Sequence, residues 1–386
     1  MYNKLLLICN EELEIEGINI ILSQKYEIFY ADTYDKALEI LNEKYIDMVI
    51  FDYHSYINNN LDSLLRNYSN IVKIMLADEE NQRIMKMIGK NICKACVVKP
   101  FERNIESIVD NTLNTMDYIK NLYFFTEFMN PKEIPMPNSS YIRIINLIDE
   151  DAEIDDIIEA IEQDPAMSVK ILRVSNSAYY GIKTSSIKQA IMYLGIANVR
   201  NLVISASVFD MFNTSAETEN FFQPLWQQAY LTNKIVRLIY KNLNKKMPET
   251  ANLAGLLANV GEIFLLNEFK EKYVDLMEML KLSSEEDEID LESLENERFS
   301  ANHSEVGGYL LDWWSLPYSI VETALYHHDP LNENIIDKEL VCIVHVAEQY
   351  CFQALNMKNK YNYVEQCFKI LSIDEDFMNT IMEEVQ

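Results

Sequence analysis

The sequence predicts two architectures in tandem: an α/β unit built on a five-stranded, doubly wound parallel sheet, then an all-α domain. Three observations carry this expectation. Over the first 118 residues, short apolar runs alternate with amphipathic stretches. After Pro137 no strand pattern remains, and apolar residues recur at three- and four-residue spacing. Only 8 Gly and 9 Pro in 386 residues argue against a turn-rich all-β fold.

The apolar runs are Leu5–Ile8, Tyr26–Tyr30, Met48–Phe51, Ile71–Leu76 and Ala95–Val98. Most lack a clean polar alternation, as expected of strands covered on both faces. Between them, Tyr34–Asn42 places Ala37, Leu38 and Leu41 on one helical face behind a candidate cap at Asp32 or Thr33. Strand–helix units of this length imply a parallel sheet with helices on both sides.

From Ile105 the pattern becomes one long helix carrying Ile108, Val109, Leu113, Met116, Ile119, Leu122 and Tyr123, until Pro131, Pro135 and Pro137 interrupt it. The expected organisation is therefore a sheet domain over 1–118, a linker helix over 105–130 that overlaps its last helix, and a helical domain over 131–386. The nearly heptad spacing of Ile105–Phe125 admits two readings. The helix pairs two chains in parallel as a homodimer, or it lays one apolar face on its own sheet.

In the second domain Ile154, Ile157, Ile158 and Ile161 mark a helix, and the next begins with Asp164 as N-cap and Pro165 in its first turn. Further helices are expected over Ile187–Leu194, Ala197–Met211, Trp226–Leu243, Thr250–Glu268, His303–Trp313, Tyr318–Tyr326 and Leu340–Leu355. The acidic stretch Glu285–Glu297 reads as a solvated loop or an exposed helix face.

Charge bounds the partners. With 33 Lys and Arg against 61 Asp and Glu, the net charge is −28, so nucleic acid is not an expected partner. No window approaches 18 consecutive apolar residues, and the N-terminal apolar run is too short for a signal peptide; a cytoplasmic protein without a membrane partner is expected. Cys93 and Cys96 form a C-x-x-C inside the apolar stretch Ile92–Val98, with no second pair to complete a zinc site. The six cysteines read as buried thiols in a reducing compartment.

In an open parallel sheet, chemistry gathers at the carboxyl ends of the strands. Those ends carry Cys9-Asn10-Glu11-Glu12, then Asp52, then Ala77-Asp78, then Lys99-Pro100. One carboxylate after the third strand and one lysine after the fifth, in "MVIFDY" and "CVVKPFE", resemble a response-regulator receiver domain over about 115 residues. The resemblance implies Asp52 as phosphoacceptor, Lys99 as the lysine that meets the phosphoryl charge, and a cis Lys99-Pro100 bond. It also exposes departures. Cys9 and Asn10 stand where two acidic residues would hold Mg²⁺, leaving Glu11 and Glu12 just beyond, and Ala77 replaces the expected hydroxyl. Mg²⁺ is then required only if Asp52 is phosphorylated, with Glu11 standing in as its ligand. The plainer account makes Asp52 and Lys99 an ion pair on a rigid scaffold.

The segments "EIPMP" (Glu133–Pro137), "EQDPAMSVKILRVSNSAYYG" (Glu162–Gly181), "IKQAIMYLGIANVRNLV" (Ile187–Val203) and "HSEVGGYLLDWWSLPYSIVETALYHHDP" (His303–Pro330) resemble the HDOD domain, a helical output module related to HD-type phosphohydrolases. The resemblance covers about Phe128–Leu355. In an HD hydrolase, histidines and an Asp from separate helices hold metal, which activates water against a phosphate ester. Here the "LLHDIG"-like segment reads Leu256-Leu257-Ala258-Asn259-Val260-Gly261, and the upstream histidine position falls on Gln228. His303, His327 and His328, with Asp329, survive. They read either as residual metal ligands or, for His327-His328-Asp329-Pro330, as a helix end where His⁺ meets the negative dipole. Arg173, Asn176, Tyr179 and Tyr180 form either an interaction surface or a capped turn with core tyrosines.

These readings combine into an expected function: a non-enzymatic cytoplasmic signalling adaptor, receiver input joined to HDOD output, without a cofactor or bound metal. Its expected partners are a sensor kinase or a cyclic-dinucleotide signalling protein. The alternatives are residual metal-dependent phosphohydrolase activity and cyclic-dinucleotide sensing.

Overall fold

The computed structural model describes residues 3–9, 12–58, 61–68, 71–78, 92–101, 104–120, 139–149, 152–175, 184–210, 219–248, 250–282, 290–314, 316–355, 357 and 364–385. Five strands, β1 (Lys4–Ile8), β2 (Glu27–Ala31), β3 (Met48–Asp52), β4 (Val72–Ala77) and β5 (Ala95–Val98), form one sheet in the order β2-β1-β3-β4-β5. Every pairing is parallel, with Leu6 opposite Phe29 and Val49, and Ile50 opposite Ile74. This is a doubly wound order whose switch point lies between β1 and β3.

Alternate side chains serve opposite faces. Leu5, Leu7, Ile50, Ile74 and Val97 pack with Ile18 and Leu22 of α1 (Glu12–Leu22) and with α5 (Ile105–Lys120). Leu6, Ile8, Val49, Phe51 and Met75 pack on the other side with α2 (Tyr34–Glu43), α3 (Tyr53–Asn58) and α4 (Asp62–Asn67). The Lys99-Pro100 peptide bond is cis.

All described elements after α5 are helices. Ile144, Ile161, Ile171, Ala190 and Val203 form a core shared by α6 (Ser139–Asp149), α7 (Ile154–Glu162), α8 (Pro165–Ser175), α9 (Ile187–Leu194) and α10 (Ile196–Asp210). The N-cap of α8 is Asp164, whose Oδ1 accepts the backbone N–H of Met167 at 3.0 Å. A second core joins α11 (Glu219–Asn242), α12 (Ala251–Leu257), α18 (Lys338–Ala354), α19 (Val364–Leu371) and α20 (Glu375–Val385). Between them lie α13 (Val260–Phe269), α14 (Glu271–Leu282), α15 (Leu291–Phe299), α16 (His303–Trp313) and α17 (Tyr318–Tyr326).

Helix α5 belongs to both halves. Ile105, Val109, Leu113, Met116 and Ile119 are buried in a core that also holds Val306, Leu310 and Val321. Polar contacts fasten the junction: Lys94 Nζ to Asp312 Oδ1 at 2.8 Å, Asn111 Nδ2 to the Glu333 carbonyl at 3.0 Å, Thr115 to Tyr326, and Tyr118 to Glu305. The described part of the apolar seam that suggested pairing of two chains is therefore covered from within the chain. Leu122, Tyr123 and Phe125 lie outside the described residues.

Two expectations need correction. The helix expected over Thr250–Glu268 is two helices, parted at Ala258-Asn259, where Asn259 takes φ −97° and ψ 23°. Every residue from Ala251 to Leu266 is buried, so no polar face reveals the break. The acidic stretch is not wholly solvated either: its described part enters α15, where Glu295 is fully buried. All six cysteines are free thiols, five of them buried, Cys93 among them. No single helix among the described residues is long and apolar enough to cross a membrane.

Candidate functional site

The polar centre of the helical domain gathers at the α12–α13 break. Gly261 brings α13 against the start of α16: a Cβ there would stand 1.9 Å from the His303 carbonyl oxygen. That approach sets Asn259 beside His303. The first turn of α16 is fixed by a capping box in which Asn302 accepts from the Glu305 N–H and Glu305 accepts from the Asn302 N–H.

His303 is 1% exposed and anchored by Glu295, whose Oε2 accepts from both the His303 backbone N–H (2.8 Å) and its Nδ1 (2.7 Å). Tyr273 donates to the other oxygen of Glu295. On its far side, His303 Nε2 lies 2.9 Å from His328 Nε2. Burial pulls His303 down, but Glu295, Glu292 and Glu262 outweigh it and hold the imidazole at about 10.

His327 and His328 follow α17, both buried. His327 Nδ1 donates to the Ala324 carbonyl at 2.9 Å, and its Nε2 faces Asn259 Oδ1 at 3.1 Å. The Asn259 amide N–H donates to Glu348 Oε1, as does Gln228 Nε2 at 3.1 Å. Glu348 Oε2 stands 3.6 Å from His328 Nδ1 and 4.0 Å from His327 Nε2. His345, one turn before Glu348 on α18, donates through Nδ1 to the His327 carbonyl at 2.7 Å.

Burial drives His327 and His328 well below the ordinary imidazole value, helped by neighbouring histidine charge. It raises Glu262 to about 8 and Glu348 to about 7. The expectation of charged histidines at a helix end is thus corrected. His327 is the C-cap residue of α17, but desolvation keeps both rings neutral against the helix dipole.

The structure brings together Gln228, Asn259, His303, His327 and His328 from the sequence-identified set. Ala258 is buried beside Asn259 in the core, with no polar atom to contribute. Sequence reasoning missed Glu295, hidden in an acidic run, and Glu262, His345 and Glu348, each within an apolar helix. A charged side chain flanked on every side by buried apolar positions was the available signal. A pocket of about 70 Å³ reaches this centre, lined by Gln228, Asn259, Glu262, His303 and His328 with Met277 and Phe352 beside them. Arg173 lies on α8, whose last residue Ser175 donates to the Ile171 carbonyl; Asn176, Tyr179 and Tyr180 are outside the described residues.

At the sheet's carboxyl edge, Asp52 is buried, with Oδ1 accepting the Ser55 N–H at 2.7 Å and Oδ2 without a hydrogen-bond partner among the described residues. Among the described residues no ion pair joins Asp52 to Lys99, and the expected pairing gives way to one with Asp78. Lys99 Nζ meets Asp78 Oδ1 at 2.6 Å, and His54 holds Asp78 Oδ2 at 3.0 Å. Both partners lower the Asp78 pKa, Lys99 the more. Ala77 closes β4, and Asn10 and Glu11 lie outside the described residues.

Solved structures share this architecture. A protein from Shewanella amazonensis SB2B, provisionally described as a phosphohydrolase, is 19% identical with a TM-score of 0.54 over 69% of this chain and 94% of its own. A provisionally described signal-transduction protein from Marinobacter aquaeolei VT8 is 18% identical, TM-score 0.55, over 73% of this chain and 64% of its own. An HDOD domain protein with unknown function from Geobacter sulfurreducens is 23% identical, TM-score 0.50, over 72% and 88%. At these identities the likeness is one of fold. Among curated proteins, an uncharacterized protein of Treponema pallidum (strain Nichols) is 26% identical over 201 residues, 51% of this chain, and the match spans only 38% of that relative. The family model of the HDOD domain matches residues 134–330, just over half of the chain, and the protein belongs to that family.

Proposed function

We propose that the protein is a non-enzymatic signalling regulator of the cytoplasm, whose helical domain presents a surface to a partner under the influence of a receiver-type N-terminal domain. One observation carries the reading. Gln228 and Asn259, at positions that resemble hydrolase ligands, use their amide N–H groups to hold Glu348, while Ala258 contributes only packing. Amide donors aimed at a carboxylate lock a core; they do not generate a metal-bound hydroxide.

The receiver reading of the sheet domain is supported by the strand order and by the places of Asp52 and Lys99 at the carboxyl edge. Its input acts through contact rather than phosphoryl chemistry, because Lys99 is engaged by Asp78 and no hydroxyl follows β4 at Ala77. Helix α5 relays that input, being packed on the sheet and on α16 together. The partner class is a sensor kinase or an enzyme of cyclic-dinucleotide signalling.

Affinity capture from the source cells with the tagged full chain tests the reading. A near-stoichiometric kinase, cyclase or phosphodiesterase, lost when α5 contacts are broken by Tyr118→Ala, is expected. Hydrolysis of a phosphoester by the purified chain would overturn it.

A further inference from the structure

We propose that Cys342 and Cys367 form a redox-sensitive pair, which hydrogen peroxide converts into a disulfide that staples α18 to α19. This goes beyond the regulator reading, which stands whether or not the bond forms.

Helix packing assembles the pair. Cys342 lies in the second turn of α18 and Cys367 in the middle of α19. Both side chains are fully buried in the core that joins these helices to α20, among Leu340, Leu371 and Met378. There the two thiols meet and share a side-chain hydrogen bond. Two thiols in contact across packed helices are placed to close a disulfide by small side-chain rotations that bring the sulfurs to about 2.0 Å.

The hydrogen bond gives the two sulfurs different roles. The Cys342 S–H donates toward the Pro330 carbonyl at 3.9 Å, so its sulfur is the acceptor for Cys367. Accepting that bond favours the Cys342 thiolate and holds its pKa below the usual thiol value, with the Lys338 ammonium helping against burial and Asp337. Lys338 is kept nearby by the Leu331 carbonyl, 3.3 Å from its Nζ. The same hydrogen bond, with burial, raises Cys367. Cys342 is therefore the nucleophile and Cys367 the resolving thiol. Other buried thiols are less reactive. Burial pushes Cys351 up to about 12, and it raises Cys93, with Cys96 adding to the effect.

One equivalent of peroxide balances the reaction. The Cys342 thiolate attacks a peroxide oxygen, an S–O bond forms and the O–O bond breaks. The departing hydroxide takes up the proton that Cys342 gave up and becomes water, leaving a sulfenic acid. Cys367 then attacks the Cys342 sulfur. The S–S bond forms, the S–O bond breaks, and the Cys367 proton leaves with the hydroxyl as a second water. Two thiols have lost two electrons and two protons, and peroxide has been reduced to water. Full burial excludes bulky disulfide oxidants, whereas peroxide is close to water in size and enters through local openings of the helix pair. Under reducing conditions the pair rests as two thiols.

The bond has a neighbour in the polar centre. Cys342 stands one turn before His345, whose Nδ1 holds the His327 carbonyl at 2.7 Å, and closure turns the Cys342 sulfur away from Pro330, just beyond His328.

The test uses the full chain, reduced with dithiothreitol, desalted and exposed to stepwise hydrogen peroxide at neutral pH. Wild type should lose two of its six thiols, with a mass fall of ~2 Da and a Cys342–Cys367 peptide in the non-reducing map, reversed by dithiothreitol. Loss at Cys342 should run at least about 10-fold faster than at Cys93 or Cys351. Cys367→Ser should stop at a Cys342 sulfenic acid trapped by dimedone, and Cys93→Ser should still form the bond. The wild-type peptide map needs no variant to fold. Six thiols intact until the chain unfolds, a Cys93–Cys96 bond formed first, or sulfinic acid at Cys342 without the cross-link overturns the pair.

Discussion

Thr115 Oγ1 and the Tyr326 hydroxyl lie 3.2 Å apart in a buried contact, and Tyr326 immediately precedes His327. The bond runs from α5 of the sheet domain to the helix that ends in two of the three central histidines. A second contact, from Tyr118 to Glu305, reaches the first turn of α16, which carries the third. Both ends of the site are thereby tied to one helix of the other domain. A double-mutant cycle of Thr115→Val and Tyr326→Phe should show a coupling of about 0.5–1.5 kcal/mol in denaturant unfolding. Additive effects would mean that the contact carries no energetic link.

Gly261 sits where α13 meets α16, and the His303 carbonyl leaves no room for a methyl group. Gly261→Ala should cost at least the upper part of the usual range for overpacking, about 1–3 kcal/mol, with His303 displaced from Glu295. The unfolding midpoint reads the first effect, and His303 ring resonances read the second. A variant as stable as wild type would refute the close approach.

Stability should fall as pH rises from 6.5 to 8 in the metal-free protein. Burial raises Glu348 to about 7 and Glu262 and Glu322 to about 8, and the carboxylates around His303 hold it at about 10. Each folded-state value exceeds its unfolded one, so the native state binds more protons, and that stabilisation is lost as pH climbs through the folded values. His327, His328 and His345 act oppositely, since burial lowers them, but most of their gain is already made by the unfolded value near 6.5. Thermal melts at pH 6.5 and 8 check the sign, and a higher Tm at pH 8 would contradict it.

How much of this was legible in the sequence differs by element. Strands β1, β3, β4 and β5 announced themselves because uninterrupted apolar runs leave few alternatives in a sheet covered on both faces. The break at Asn259 gave no such sign, because the chain around it is buried on all sides and periodicity vanishes. Glu295 was masked by neighbouring carboxylates whose solvation it does not share. Glu348 sits in α18 among positions 340–352, every one buried, where a lone carboxylate signals a partner but does not say which. His327 and His328 were placed at the helix end, where they are, yet their charge state depends on burial supplied by distant helices.

Asn259→Asp returns a carboxylate to the centre. Without metal it should lower Tm, since an acceptor replaces the amide N–H that holds Glu348. Thermal melts of the variant and the wild type check this, and an unchanged Tm would contradict it.

On the proposed contact-driven reading, Asp52→Asn should leave partner capture unchanged, because Lys99 is held by Asp78 and α5 packs on the sheet and on α16. Acetyl phosphate with Mg²⁺ should add no phosphate to the wild-type chain by intact mass. A phosphoryl adduct absent from Asp52→Asn would show that the phosphoacceptor chemistry persists.

The central claim, that the helical domain regulates without hydrolysing, is tested most directly by turnover. The full chain, saturated in turn with Mn²⁺, Fe²⁺ and Zn²⁺, is incubated with bis(p-nitrophenyl) phosphate and with a cyclic dinucleotide. The account predicts product formation no faster than in protein-free buffer containing the same metal. Metal-dependent hydrolysis that disappears in His328→Gln would contradict it.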